Sequence, residues 1–453
     1  MLPLALPIAL QNLLMTSFRL VDTLMIGKLG DVSIAAVGLA GYASFLMELI
    51  MFGLASGGSV FIAQYHGAKN GDGILRAYGT LLLFALPLSV AFTAYIFFFP
   101  DTFMHLLTNE TALITEGSDY LRFACFSYLG LAVNQAMSIT LRSTENVRVP
   151  MIASSIAAVL NAVLNYVFIF GKLGLPAMGV AGAGLATSIS AVSAPLVMGL
   201  LSAKQKNILW APLKKIFNVK GFLGLFWSRA LPVLCNEMFW SLSIVGINMV
   251  FGRMGTDNYA AFTIFRTVEN FGFVFFMGIC NACNILVGKS IGAGDHEAGK
   301  NYARRFIKLI PVLGIPLGLL LVLLRLPILS LFDISDTAMR TAELLLIIYA
   351  VDINIRNIPY ITIVGIFRAG GDTRIGLVAD MLVMYLVSLP VVILCGLVWK
   401  LPFITTYLAM IVAEDLVKTA ITLPHFFRMR WIKPVTVPVP ENLQETSAMF
   451  SEE

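Results

Sequence analysis

The stretch Ser33–Tyr65, SIAAVGLAGYASFLMELIMFGLASGGSVFIAQY, carries one charged side chain, Glu48. A helix that crosses a bilayer needs about 20 mostly apolar residues. This run is long enough to cross and to tilt. Its apolar character is continuous and does not alternate, which excludes the strands of a closed membrane barrel. Working outward, the same reading gives spans at 2–27, 33–65, 76–99, 113–141, 148–170, 178–202, 222–251, 258–288, 303–325, 338–367, 375–399 and 402–427. The expected fold is therefore an all-α membrane protein with twelve transmembrane helices.

Composition agrees. Of 453 residues, 58% are hydrophobic and 13% charged, about half the charge of an ordinary soluble domain. A nucleic-acid-binding module, a single-anchor enzyme and a receptor with a large ectodomain are excluded. The net charge of +5 resides in loops. All five cysteines fall in apolar stretches, and Cys280-x-x-Cys283 reads as small-residue helix packing. The start, Met-Leu-Pro-Leu-Ala-Leu-Pro-Ile, has no basic region or cleavage site and reads as the first span.

Lys and Arg number 20 after even-numbered spans and six after odd-numbered ones. Basic loops stay cytoplasmic, so both termini are expected in the cytoplasm of a multi-pass inner (plasma) membrane protein. The basic segment 203–221 reads as a cytoplasmic linker between a six-helix lobe at 1–202 and another at 222–430. The Pro-rich, then acidic, residues 431–453 read as a disordered cytoplasmic tail.

The halves are related. Ala5-Leu6-Pro7 recurs as Ala230-Leu231-Pro232, an offset of 225 that also sets Gly27 on Gly252, Gly30 on Gly255, Ala35-Ala36 on Ala260-Ala261, Gly53 on Gly278 and Gly67-Ala68 on Gly292-Ala293. Each repeat holds an even number of spans, so the two lobes form a parallel internal repeat, with a cleft expected between them for alternating access.

Ionisable side chains at membrane depth cost about 2.5–3.5 kcal/mol each and mark candidate sites. Arg19 and Asp22, Arg266 and Glu269, and Asp352 and Arg356 are spaced to pair on their own helices. Glu48, Glu237 and Asp380 have no such partner on their own helix and are candidates for protonation or substrate contact, with Glu269 and Asp352 beside them. Pro7 and Pro232 are positioned to bend the first and seventh helices. Met15, Met47, Met51, Trp240, Phe265 and Phe271, with Phe275 and Met277, are candidates to line a greasy substrate cleft.

Leu6-Pro7 through Asp22-Thr-Leu-Met-Ile-Gly27-Lys-Leu-Gly30, then Ala35-Ala36-Val37-Gly38, resembles the first two helices of the multidrug and toxic compound extrusion (MATE) family. Gly371-Asp372-Thr373 after Arg368 is similar to that family's loop after helix ten. The chain looks closer to the DinF-like bacterial branch than to the NorM branch. That resemblance implies export of amphipathic, often cationic compounds in exchange for H+ or Na+. It implies Asp22 as the cation-coupling centre, downstream of Pro7, with Asn161, Asn165 and Thr187 around it. Asn165 is an amide where the branch has an acid. The NorM-branch acids of helices seven and ten fall on Trp240 and Asn357, which carry no charge. No cofactor beyond the coupling ion, no metal site and no nucleic acid are expected; the partners are a small-molecule substrate and the bilayer, and the chain is expected to be a monomer.

Gly288-Lys289-Ser290 lacks the strand and first glycine of a phosphate-binding loop, which rejects ATP hydrolysis. The four histidines are scattered, which argues against a membrane metalloprotease. The competing reading is a flippase or exporter of a lipid-linked or anionic metabolite, for which Arg19, Arg266 and Arg356 would supply cationic contacts.

Overall fold

The computed structural model describes residues 2–330, 332 and 335–436, without the side chains of residues 2–6, 9 and 14–20. Twelve helical spans follow in order: helix one Leu2–Gly27, two Asp31–Gly67, three Gly71–Phe98, four in two rods (Thr111–Ala124 and Ser127–Ser143), five Arg148–Phe170 and six Gly179–Gln205. Helix seven is Leu223–Gly252, eight Thr256–Gly292, nine His296–Leu329, ten Asp336–Gly370, eleven Thr373–Val398 and twelve 403–427. Nine of these, among the described residues, pass as single membrane spans by length and hydropathy, and the two rods of helix four, bent by 49°, make a tenth. The expected all-helical, twelve-span architecture stands, and the fold matches transporters with two lobes of six helices.

The ninth span is longer than its hydropathy suggests. It starts at His296, capped by the Asp295 carboxylate, which accepts from Ala298 N at 2.9 Å. Lys300, Arg304, Arg305 and Lys308 thus ride on the first turns of a 34-residue helix instead of in a loop. Ser335 caps helix ten in the same way, through Ala338 N at 3.2 Å.

Two compact units emerge. The first comprises Leu2–Ile62 and Gly71–Ala230; the second joins Ala63–Asn70 to the chain from Leu231 onward. The expected linker, 203–221, packs within the first unit: Ile216 is buried, and its carbonyl leaves no room for a Cβ at Gly79.

In the second unit the end of helix two meets the end of helix eight. A Cβ on Gly67 would strike the Lys289 carbonyl, and one on Gly292 would strike the Gln64 carbonyl. Gly67 and Gln64 shift by 225 onto Gly292 and Lys289, so the contact is reciprocal, as the internal repeat requires.

Residues 431–436 correct the tail assignment. Trp431 is fully buried and stacks on Phe426 at 6.2 Å. Ile432 bridges Gly371, whose φ of +89° suits glycine. Lys433 N donates to the Gly370 carbonyl at 2.7 Å, and Val435 N donates to Gln64 Oε1 at 2.8 Å. Asp372 receives Lys433 Nζ at 2.8 Å and faces His425 at 3.1 Å. A buried indole and a row of backbone bonds outweigh the disorder that Pro-rich composition suggests. Residues 437–453 lie outside the described part.

Candidate functional site

In the first unit, helices one, five and six converge on Asp22. Asn165, 1% exposed, donates its amide to Asp22 Oδ1. Asn161 sits one turn earlier on helix five. In the amide orientation that satisfies both of its ends, it donates to Asp22 Oδ1 at 2.7 Å and accepts from Ser190 Oγ of helix six at 3.2 Å. The helical spacing of four puts both amides on one face. The two amide donors satisfy a half-buried carboxylate.

Two of the residues that the resemblance gathers around Asp22, Asn161 and Asn165, therefore meet its carboxylate. The Thr187 hydroxyl donates to its own helix, to the Ala183 carbonyl at 2.9 Å, and faces the Tyr120 phenol. Tyr120 lies within electrostatic reach of both Asp22 and Glu48. The sequence reading missed Ser190 and Tyr120; neither ionises near neutrality, so a search for membrane charges passes over them. The side chains of Arg19 and Met15 lie outside the described residues.

The second unit holds a longer polar chain. Arg368, only 3% exposed, binds Glu237 at 2.6 Å and donates to Asn236 Oδ1 at 2.8 Å. Asn236 donates to Asp380 at 2.7 Å, Asp380 meets Lys418 at 2.9 Å, and Lys418 meets Glu414 at 3.2 Å. Helices seven, ten, eleven and twelve each contribute. Glu237 and Asp380, which have no partner on their own helices, each take one from a neighbouring helix. Arg368 reads as a loop residue in the sequence but is buried at the end of helix ten.

Beside this chain, Glu269 of helix eight holds Arg266 at 2.6 Å, as its spacing predicts, and also Arg356 of helix ten. The expected pair of Asp352 with Arg356 does not form. Arg356 turns to Glu269, and both Asp352 carboxylate oxygens are buried without a hydrogen-bond partner. A small cleft opens here, lined by Asn248, Phe265, Arg266, Arg356, Tyr407 and Glu414.

Of the cleft candidates, Met47 and Met51 are 1% exposed, and Phe265 is buried against Tyr349 and Tyr407. Trp240 and Phe275 are exposed, and Phe271 is half-buried. Pro7 and Pro232 sit inside helices one and seven. Asn357, where the NorM branch has an acid, is 2% exposed and donates to the Ile353 carbonyl at 2.6 Å.

Twelve spans in a duplicated six-helix arrangement, with ionisable groups buried at membrane depth, define a polytopic membrane transporter. The MatE family model matches residues 7–167 and 232–394, and the chain belongs to the MATE family. Its members are transporters, not enzymes. A probable multidrug resistance protein NorM of Thermotoga maritima is 24% identical over 450 residues, covering 96% of this chain and 93% of that protein. A probable multidrug resistance protein YoeA of Bacillus subtilis is 27% identical, covering 76% and 75%. Among solved structures, MATE in complex with MaL6 superposes with a TM-score of 0.84 at 20% identity, covering 95% of each chain. An outward-facing multidrug resistance MATE transporter gives 0.84 at 21% identity, again covering 95% of each.

Proposed function

We propose that this chain is a secondary antiporter that exports amphipathic, cationic organic compounds in exchange for H+ or Na+, by alternating access, with Asp22 as the coupling centre. The observation that carries this reading is the convergence of Asn161 and Asn165 on the Asp22 carboxylate. A carboxylate held by flexible amides at membrane depth has two states to offer. It stays ionised on amide N–H donors, or it binds an incoming cation when those amides turn their oxygens inward. The names of the relatives support a multidrug substrate range. The basic-loop bias supports cytoplasmic termini, and the monomer is the simplest assembly for a duplicated chain. The competing anionic-substrate reading is the weaker one because Arg266 and Arg356 both already contact Glu269.

The test is ethidium efflux from proteoliposomes under a pH gradient or a sodium gradient, for wild type and Asp22→Asn. Efflux driven by one of the gradients and abolished in Asp22→Asn is expected. Efflux that is undiminished in the variant removes Asp22 as the coupling centre.

A further inference from the structure

The polar chain of the second unit has a counterpart in the first, in the register of the repeat. The offset of 225 sets Gln11 and Asn12 on Asn236 and Glu237. An offset of one residue more sets Arg142 on Arg368, Ser154 on Asp380 and Val192 on Lys418. The hydrogen bonds are kept as well. Arg142, at the end of helix four, donates from Nη2 to Gln11 Oε1 at 2.8 Å, as Arg368 does to Asn236 Oδ1 at 2.8 Å. Gln11 donates onward to Ser154 Oγ at 2.7 Å, as Asn236 does to Asp380 at 2.7 Å.

The charges are not kept. In the second unit Glu237 meets Arg368, and Asp380 meets Lys418. In the first, Asn12, Ser154 and Val192 are neutral, and only the arginine remains. Among the described residues, no carboxylate lies within ion-pair distance of Arg142. Its Nε is buried and has no hydrogen-bond partner. Gln11, 5% exposed, is committed at both ends of its amide, so it holds the guanidinium without neutralising it.

A guanidinium cannot shed its charge by losing a proton. Water can offer it an acceptor but no charge. Its planar fork matches the oxygens of a carboxylate or a phosphate, and Arg142 is half-buried, so an ion from outside can reach it. The surroundings select the ion. Helix four ends here in a polar loop, whose Asn146 donates to Gln205 at 2.9 Å, beside Lys204 and Lys206, and Arg148 is exposed at the start of helix five. Polar loop backbone lies outside the hydrocarbon of a bilayer. At the level of the headgroups the anion at hand is lipid phosphate, and the same fork takes free phosphate from the water.

We propose that Arg142, seated by Gln11, binds a phosphate-bearing anion, either the phosphodiester of an anionic lipid or free phosphate, in the place that Glu237 fills in the second unit. The inference rests on the membrane class of the chain and on its internal repeat, and not on the role proposed for Asp22.

The test is thermal unfolding of the full chain in detergent. In one arm inorganic phosphate is titrated against chloride at matched ionic strength. In the other, phosphatidylglycerol is compared with phosphatidylcholine in mixed micelles. A ligand at a hundredfold excess over its Kd should raise the midpoint by about 5 °C in a chain of this size. Wild type is expected to show that rise in at least one arm. A rise with phosphatidylglycerol alone identifies the lipid, and a rise with phosphate alone identifies the free ion. Arg142→Gln should lose the rise. Asn12→Glu keeps the arginine and supplies the carboxylate of the second unit, so it should lose the rise as well. Arg148→Gln removes an exposed cation at the same end and should keep most of it. The proposal is overturned if neither arm raises the wild-type midpoint. It is also overturned if the rise survives in Arg142→Gln or, should that variant not fold, in Asn12→Glu. Asp22→Asn should leave the rise unchanged, and ethidium efflux reports on Asp22 separately, so the two readings fail independently.

Discussion

Replacing Lys418 with methionine should destabilise the protein through two carboxylates at once. Its ammonium stands 2.9 Å from Asp380 and 3.2 Å from Glu414, and the three side chains are 7%, 12% and 10% exposed. At an effective dielectric of about 20, each contact corresponds to roughly 5 kcal/mol of attraction before desolvation is counted. The measured loss is smaller, because the unfolded reference solvates the charges. Removing one partner of a buried pair costs about 3–5 kcal/mol. Lys418→Met keeps most of the length of the apolar stem, so lost packing adds little, although it also removes the ammonium's hydrogen bond to Met384 Sδ at 3.2 Å. At about 2 °C per kcal/mol for a large chain, the unfolding midpoint in detergent should fall by about 6–10 °C. The deficit should shrink in acid, where protonation neutralises the stranded carboxylates. Adding Asp380→Asn should restore roughly half of the loss, since it removes one of the two stranded charges while Asn236 retains an oxygen to bind. An Lys418→Met variant as stable as wild type would refute the reasoning. So would a double variant no better than the single one.

Three further outcomes are expected. Gly292→Ala forces a methyl group into the Gln64 backbone carbonyl and should cost about 1–3 kcal/mol, whereas Gly199→Ala, which meets open space, should be neutral or stabilising by up to about 1 kcal/mol; thermal unfolding compares them. Trp431→Ala should cost about 3–5 kcal/mol, as the loss of a fully buried indole, and should expose the 431–436 segment to limited proteolysis. Asn165→Asp puts a second carboxylate against Asp22, so its stability should rise with sodium or with acid more steeply than that of wild type, measured as a midpoint shift across a salt and pH series.

The sequence carried the fold because hydropathy and the 225-residue register are properties of each helix alone. Long apolar runs need no knowledge of neighbours, and Gly67 and Gly292 announced their shared role by register before their contact was known. Ion pairing behaved differently. Spacing finds partners only on the same helix. It found Arg266 with Glu269, but it also predicted Arg356 with Asp352, and a rival carboxylate from helix eight took the guanidinium instead. Glu237 and Asp380 looked solitary because Arg368 and Lys418 reach them across helix boundaries that no spacing rule spans. Arg368 was misplaced for a related reason: a basic residue before Gly370-Gly371 reads as a loop, and its burial depends on what packs over it. Trp431, read as part of a disordered tail, packs there against Gly370.

Helix twelve shows where local geometry adds what periodicity cannot. Glu414 and Asp415 are adjacent, and in a regular helix adjacent side chains diverge by about 100°, so one would ordinarily face lipid or water. Here both are buried. They lie in Val412–Leu416, a π-helical turn within helix twelve, one of four such turns that, among the described residues, occur only in helices ten to twelve. A wider turn inserts a residue into the helix face and changes which side chains share it, and such bulges recur at functional sites. Glu414 is thereby directed to Lys418 and the cleft, while Asp415 comes within reach of Arg356 and Asp352. The wider turn of Val412–Leu416 thus carries two adjacent buried acids, Glu414 and Asp415, which same-face spacing on a regular helix would not have grouped.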